Sequence, residues 1–229
     1  MNGLLRVADG ETITRKERRE VVLLAARHEV AITWSRYAAG EQGPDPHVHR
    51  EHVDAFFVLD GELTFVVGPD AERRRVAAGG FVAVPPDVVH TFANESGADV
   101  RWLNFHAPDQ GFAEYMRAAR DGEVANFDSF DPPADGGRPA AVATVTGPGD
   151  GERVASGSVL LKAVLPDLCV AEWTVDALDL LGDGARADHF YELSSTGVLG
   201  IHAPDDGLGY RLRARDADAR RQPRQRATR

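Results

Sequence analysis

Short apolar runs separated by turn residues fill most of the chain between Val21 and Ala107. Each run is long enough for one strand, and several of the breaks contain glycine; one of them, Asp60-Gly61, predicts a hairpin. The runs are Val21–Arg27, Val30–Tyr37, Ala55–Leu59, Leu63–Val67, Phe81–Val84, Val88–Ala93 and Val100–Phe105. Such a succession is typical of an antiparallel sandwich or barrel, so we predict an all-β fold here.

The pattern changes after the last of these runs. Apolar residues then recur at helical spacing, which predicts a short amphipathic helix over Gly111–Arg120 on the outside of the barrel. Residues 121–152 are rich in Pro, Gly, Asp and Ala and are predicted to be a linker. The predicted organisation is therefore a barrel at residues 1–120, the linker, a second β unit at 153–210 and a tail at 211–229.

The second unit repeats the ends of the first but not its middle. Trp34 and the segment His106-Ala107-Pro108-Asp109 return as Trp173 and His202-Ala203-Pro204-Asp205, with a much shorter interval between them. A barrel closes only with its full strand set, so we predict an incomplete unit that descends from a two-barrel ancestor. Its two clear strands, expected to pair against the first barrel or to be poorly ordered, are Val159–Leu165 and Cys169–Val175.

Charge and hydropathy limit the classes of partner. The net charge of −10 argues against nucleic-acid binding, and no apolar run approaches the roughly 20 residues that cross a bilayer. We therefore predict a cytoplasmic protein that binds neither nucleic acid nor membrane. Cys169, between Leu168 and Val170, is predicted to be a buried small hydrophobe. The Arg-rich residues 211–229 are predicted to be a solvated, disordered tail.

Three histidines and a carboxylate are candidates for a metal site. His47 and His49 stand at i and i+2, so in a strand both rings point to the same face. His90 comes from a separate run. Asp54 lies at odd spacing from His49, so on a continuous strand it would point away from the histidines, and a bend must turn it towards them. Glu51 is the alternative carboxylate ligand. Such a set suits one divalent transition metal: Fe(II), Mn(II), Zn(II), Ni(II) or Cu(II).

The spacing of these residues resembles the two motifs of the cupin superfamily. His47-x-His49-x4-Asp54-x6-Gly61 is similar to the first motif, and Gly79-x5-Pro85-x-Asp87-x2-His90-x3-Asn94 is similar to the second. The resemblance implies a double-stranded β-helix, or jelly-roll barrel, commonly dimeric, with metal ligands at His47, His49, Asp54 and His90. Asp54 replaces the usual Glu. Asp87 replaces the usual Gly, and Asp tolerates the left-handed backbone conformation that the turn requires.

The lining of a ligand pocket follows from strand alternation. If Asp54 faces inward, Phe56 and Val58 do too, and Phe92 shares a face with His90. Further lining candidates, which alternation leaves without an orientation, are Trp34, Tyr37, Trp102 and Asn104. An apolar, partly aromatic wall suits a small organic ligand better than a sugar phosphate, although these aromatics would equally serve as core.

The family resemblance suggests three function classes, and no catalytic residue is assigned. The first is a metal-dependent, dioxygenase-like oxidoreductase acting on a small organic substrate. The second is a non-catalytic module that binds or senses a small molecule. The third is a metal-assisted isomerase or lyase, for which Glu51 or Tyr37 would be the general base. The remaining histidines, His28, His52, His106, His189 and His202, are predicted to be surface or ordinary core residues.

Overall fold

A computed structural model of the chain describes residues 3–5, 7–154, 159–165, 168–174, 190–193, 198–203 and 208–214. Antiparallel strands dominate this part of the chain, together with an α-helix, α1, at Phe112–Asp121 and 3-10 turns at Val7–Asp9 and Ala140–Val142. The strands are β1 (Gly3–Leu5), β2 (Glu11–Arg15), β3 (Arg19–Arg27), β4 (Val30–Tyr37), β5 (Val53–Asp60), β6 (Glu62–Val67), β7 (Glu72–Ala77), β8 (Phe81–Val84), β9 (His90–Ala93), β10 (Val100–Ala107), β11 (Thr144–Thr146), β12 (Glu152–Val154), β13 (Val159–Val164), β14 (Leu168–Thr174), β15 (Phe190–Leu193), β16 (Val198–Ala203) and β17 (Leu208–Ala214). The prediction of an all-β jelly-roll fold is confirmed.

Two sheets form the barrel that carries the candidate site. A seven-stranded sheet has the order β11-β8-β5-β10-β4-β3-β2, and a three-stranded sheet has the order β7-β6-β9. Apolar side chains from both sheets, such as Phe56, Phe65 and Trp102, form one core between them. The opposite face of the large sheet packs against Ala163 and Leu168 of the second unit. Because both faces of the large sheet are covered, β4 and β5 are buried at almost every position rather than at alternate ones.

The Asp60-Gly61 turn does not close a hairpin of paired strands, so that prediction is wrong. β5 pairs with β10 and β8, whereas β6 pairs with β7 and β9 in the other sheet. Both edges of β5 are therefore already occupied, and the chain must cross to the second sheet at this turn. Gly61 makes the crossing possible, because its φ is +78° and a Cβ there would lie 2.5 Å from the Asp99 carbonyl oxygen.

The helix predicted after the barrel strands is confirmed, with bounds shifted by one residue. α1 buries Phe112 and Ala113 against the β2–β3 region and ends at Gly122, which has the left-handed conformation common at helix C-termini. In the described part of the chain no helix has the length and apolar character that a bilayer crossing needs, since α1 has ten residues.

Much of the segment predicted as a linker packs against the barrel. Phe130 forms a two-way main-chain bridge with Val48, and β11 extends the large sheet by pairing with β8. Residues 123–139 of this segment form no helix or strand. Irregular chain can still be packed when its main-chain groups find partners, which is what these bridges provide.

The second unit is a seven-stranded sheet with the order β1-β15-β16-β17-β14-β13-β12. β13 and β14 pair with each other rather than with the barrel strands, and the N-terminal strand β1 joins the sheet at its far edge. The predicted tail contributes its first four residues to β17, and residues 215–229 lie outside the described residues. His189 and the side chains of Cys169 and His202 also lie outside them. Descent from a two-barrel ancestor stays a prediction.

Candidate metal centre

Both sheets of the barrel contribute to the cluster of histidines. His47 forms a reciprocal main-chain bridge with His90 at the start of β9, with N···O distances of 3.1 and 2.9 Å. The segment that carries His47 and His49 is thereby fixed beside the small sheet. Asp54 comes from β5 in the large sheet, after a bend over residues 50–52 that separates it from His49. This is the bend that the odd spacing of Asp54 required.

The structure brings the four sequence-predicted ligands together. One potential ligand atom from each of His47, His49, Asp54 and His90 lies within 4.8 Å of all the others. Oδ2 of Asp54 lies 3.2 Å from Nε2 of His90 and 3.6 Å from Nε2 of His49. Glu51, the alternative carboxylate, is exposed and lies outside this group. Bonds of about 2.1 Å place donors about 3 to 4 Å apart, so a small inward movement would complete coordination.

The hydrogen bonds of the three imidazoles define which nitrogen is free. In each ring Nδ1 lies next to a main-chain carbonyl oxygen, which can only accept, so Nδ1 carries the proton and donates it. The accepting carbonyls are those of Asp45 for His47, Val88 for His90 and Asp128 for His49. A neutral ring protonated at Nδ1 has its lone pair on Nε2. All three rings are thereby held in the tautomer that a metal ligand needs.

A buried nitrogen without a partner tests whether a metal fits. Nε2 of His49 is buried and accepts no hydrogen bond from any described residue. A buried acceptor without a hydrogen-bond partner destabilises the folded protein unless a metal ion or a water molecule binds to it. Together with this nitrogen, the imidazoles of His47 and His90 and the Asp54 carboxylate form a donor set that suits a divalent transition ion. The residues present therefore fit the metal.

Burial and neighbouring charges hold the ligands in the required protonation states. Burial, together with the nearby rings of His90 and His49, lowers the pKa of His47 to about 4, so this imidazole is neutral at neutral pH. Burial alone would raise the pKa of Asp54, but the imidazoles of His106, His49 and His90 outweigh it and hold that pKa well below its usual value. Asp54 is therefore a carboxylate.

The depressed histidine pKa values predict acid sensitivity of the metal-free protein. Burial lowers the pKa of both His47 and His52 from 6.5 to about 4. Between these values the unfolded chain binds protons that the folded chain does not, so the free energy of unfolding falls as pH drops from about 6.5 to 4. We expect urea unfolding in excess chelator to show this fall, with a slope smaller by up to about 1.4 kcal/mol per pH unit in the His52→Gln variant. If the free energy of unfolding depended on pH equally in both proteins, the depressed pKa of His52 would be contradicted.

Asp87, the departure from the second motif, preserves the turn as predicted. Its φ is +66°, the left-handed conformation that glycine usually supplies. The Asp87 N–H donates to the carbonyl of His49 at 2.7 Å, and its own carbonyl accepts from the Arg138 N–H at 2.7 Å. The turn therefore also ties the histidine segment to the chain beyond α1.

Asp128 was missed by the sequence analysis and clamps the segment between His49 and Asp54. Its main-chain carbonyl accepts from His49, and its carboxylate accepts from the N–H groups of Arg50 at 3.0 Å and Glu51 at 2.7 Å. The same carboxylate accepts from Nδ1 of His52 at 2.8 Å. No local signal marks Asp128, because it lies 79 positions from His49 in a segment without regular structure.

Two histidines that were assigned to surface or ordinary core lie beside the candidate ligands. Nε2 of His52 is 2.8 Å from Nδ1 of His106, and both side chains are buried. Nε2 of His106 lies 3.7 Å from Oδ1 of Asp54, the oxygen that also accepts from the Asn104 amide. His49, His52 and His106 form a second close group of possible ligand atoms. A buried chain of polar groups thus joins Asp128 to Asp54.

A cavity of about 560 Å³ opens beside the cluster. Its wall includes His47, Asp54 and His106 and four of the predicted pocket residues. Those four are Tyr37, Phe92, Trp102 and Asn104. The other predicted residues do not line it. Phe56 and Val58 are fully covered in the core between the two sheets, and Trp34 packs on the opposite face of the large sheet from Tyr37.

Comparisons with known proteins agree with this architecture. Residues 33–106 match a family model described as a cupin domain, which is less than half of the chain and includes all four candidate ligands. No curated protein sequence matches the chain.

Several solved structures resemble the chain. Bacterial pirin YhhW from Escherichia coli, solved in complex with nickel(II), is 10% identical with a TM-score of 0.55, and the alignment covers 93% of this chain and 99% of that one. Protein Ylba from Escherichia coli is 10% identical with a TM-score of 0.54, over 93% and 83% of the two chains. An RmlC-like cupin from Shewanella frigidimarina is 23% identical with a TM-score of 0.38, over 44% and 86%. At these identities the first two show a shared fold that extends over nearly the whole chain.

Proposed function

Because this chain carries a cupin domain, we propose that it is a metal-dependent oxidoreductase of the dioxygenase type that acts on a small organic substrate. The observation that carries the proposal is the convergence of three imidazoles and the Asp54 carboxylate, including a buried, unpartnered Nε2 of His49, at the wall of a cavity of about 560 Å³. A divalent ion held by these four residues would supply Lewis acidity and, if it is iron, electron transfer to dioxygen.

The chain's own groups would bind and orient the substrate. Burial raises the pKa of the Tyr37 hydroxyl, so this group stays protonated and can donate a hydrogen bond into the cavity. Phe92 and Trp102 line the same cavity as apolar walls that exclude water from a bound substrate. Asn104 orients Asp54 by donating to Oδ1, which leaves Oδ2 directed at the imidazoles.

The isomerase or lyase alternative has less support in the cavity. It needs a general base within reach of the substrate. Glu51 is exposed and does not line the cavity, and Tyr37 is held in its protonated form by burial. The two bases considered from the sequence are therefore both unsuited to that role, and the oxidoreductase proposal, which needs neither, is preferred.

The test is oxygen uptake by the full chain reconstituted anaerobically with Fe(II) and supplied with a panel of small organic compounds. We expect uptake that depends on one class of compound and falls to background in the His47→Ala, His90→Ala double variant. Turnover without oxygen in the zinc- or manganese-loaded protein would favour the isomerase or lyase class. A copurified ligand that is bound but never turned over would favour the binding module.

A further inference from the structure

β4 places three hydroxyl groups in a row along the cavity wall. Thr33, Ser35 and Tyr37 stand at alternate positions, so they share one face of the strand, and all three line the cavity. Their exposed fractions are 2%, 4% and 5%. None of the three hydroxyls makes a hydrogen bond to another described residue. Water or a bound ligand in the cavity must therefore supply their hydrogen bonds.

Packing does not explain why these positions are polar. The alternate residues of the same strand, Val30, Ile32 and Trp34, form apolar core on the other face. Valine at position 33 or alanine at position 35 would keep a similar shape without the cost of burying a hydroxyl group. The row therefore favours a ligand with oxygen atoms over an apolar one, because an apolar ligand would displace water from these hydroxyls without replacing its hydrogen bonds.

The charges that line the cavity argue against an anionic group at this row. Of the described residues that line the cavity, Arg19 is the one with a Lys or Arg side chain. Its guanidinium already forms an ion pair with the Glu41 carboxylate, with an N···O distance of 3.0 Å, and lies over the Tyr37 ring, 4.4 Å from the ring centroid. Asp45 and Asp131 add negative charge to the same wall. Apart from the proposed metal ion at the other part of the wall, a phosphate or a carboxylate at this row would meet these groups without a free cationic side chain to neutralise it.

We propose that Thr33, Ser35 and Tyr37 form a subsite for the hydroxyl or carbonyl oxygens of a neutral, ring-sized substrate. Successive rungs of the row are about 6.6 Å apart, since a strand rises about 3.3 Å per residue, so one small ring can contact two rungs. Aromatic side chains on the facing walls, among them Phe92 and Phe127, cover its apolar surfaces. The substrate class rests on the proposed function, but the subsite can be tested without turnover.

The test compares two probes built on the same ring, in the full chain with and without metal: cyclohexane-1,4-diol, which is neutral, and cyclohexane-1,4-dicarboxylate, which is a dianion. The metal-free chain is included because a carboxylate can also bind the metal ion itself. Ligand-observed NMR titration measures their affinities. We expect the diol to bind more tightly than the dicarboxylate, and the Thr33→Val, Ser35→Ala double variant to bind the diol at least about tenfold more weakly. The matched control is Thr12→Val, because Thr12 is exposed and outside the cavity lining.

Metal content and thermal unfolding are measured for each variant, so that loss of binding is not confused with loss of the site or the fold. Equal diol affinity in the double variant, tighter binding of the dicarboxylate than of the diol to the metal-free chain, or no binding of the diol would each overturn the subsite. Oxygen uptake bears on the proposed function separately. A hydroxyl-dependent affinity without any uptake would support the subsite while contradicting the oxidoreductase.

Discussion

Elemental analysis of the His47→Ala, His90→Ala double variant is expected to find less than about 0.1 metal ion per chain, against about one in the unaltered protein. The double variant keeps only His49 and Asp54 of the four clustered donors, and two donors at a buried site do not replace the hydration shell of a divalent ion. The measurement requires purification without chelator, followed by reconstitution with Fe(II), Mn(II), Ni(II), Cu(II) or Zn(II) in turn.

The matched control for this experiment is His28→Ala. His28 is exposed in the turn between β3 and β4, away from both histidine groups, so its removal is expected to leave the metal content unchanged. Near-ultraviolet circular dichroism checks that the double variant keeps its tertiary packing. Metal retained in a folded double variant would move the site to the group of His49, His52 and His106. An unaltered protein that takes up no metal on reconstitution would contradict the metal centre itself.

The Asp128→Ala variant is expected to bind metal about 10 to 100 times more weakly, although Asp128 is not one of the clustered ligands. Its carboxylate accepts from Arg50, Glu51 and His52, and these three contacts hold the bend between His49 and Asp54. Without them the bend loses its anchor. The hydrogen bond from Nδ1 of His49 to the main-chain carbonyl of residue 128 is then also lost if that residue moves. The measurement is competition for the metal with a chromophoric chelator.

The control for the clamp is Glu123→Ala, which removes an exposed carboxylate from the same segment and is expected to leave metal affinity unchanged. Asp128→Asn separates positioning from general destabilisation, because the amide oxygen still accepts one or two of the three hydrogen bonds. We expect its metal affinity to lie between those of the alanine variant and the unaltered protein. An alanine variant with unaltered affinity would show that packing of Phe127 and Phe130 alone fixes the bend.

Local sequence signals were sufficient for much of the barrel and for the proposed ligands. The alternation of short apolar runs and glycine turns predicted the strands, and helical spacing predicted α1 to within one residue. The i, i+2 spacing of His47 and His49 needs no long-range information, since neighbouring alternate residues of an extended chain share a face. The tolerance of Asp87 for positive φ is likewise a property of one residue.

The tertiary structure decided which polar groups support those ligands and which residues form the cavity. Asp128 meets His49 across 79 positions, and His52 meets His106 across 54, through contacts that carry no periodic signal. Alternation could not orient Trp34 and Tyr37, because the large sheet is covered on both faces and both residues are buried. Phe56 follows Asp54 on the same face, yet Phe92 and Phe65 cover it. The sequence alone determined the elements and the spacing of the donors; packing between distant segments determined what surrounds them, because that depends on which strand edges and faces remain free when the two sheets meet.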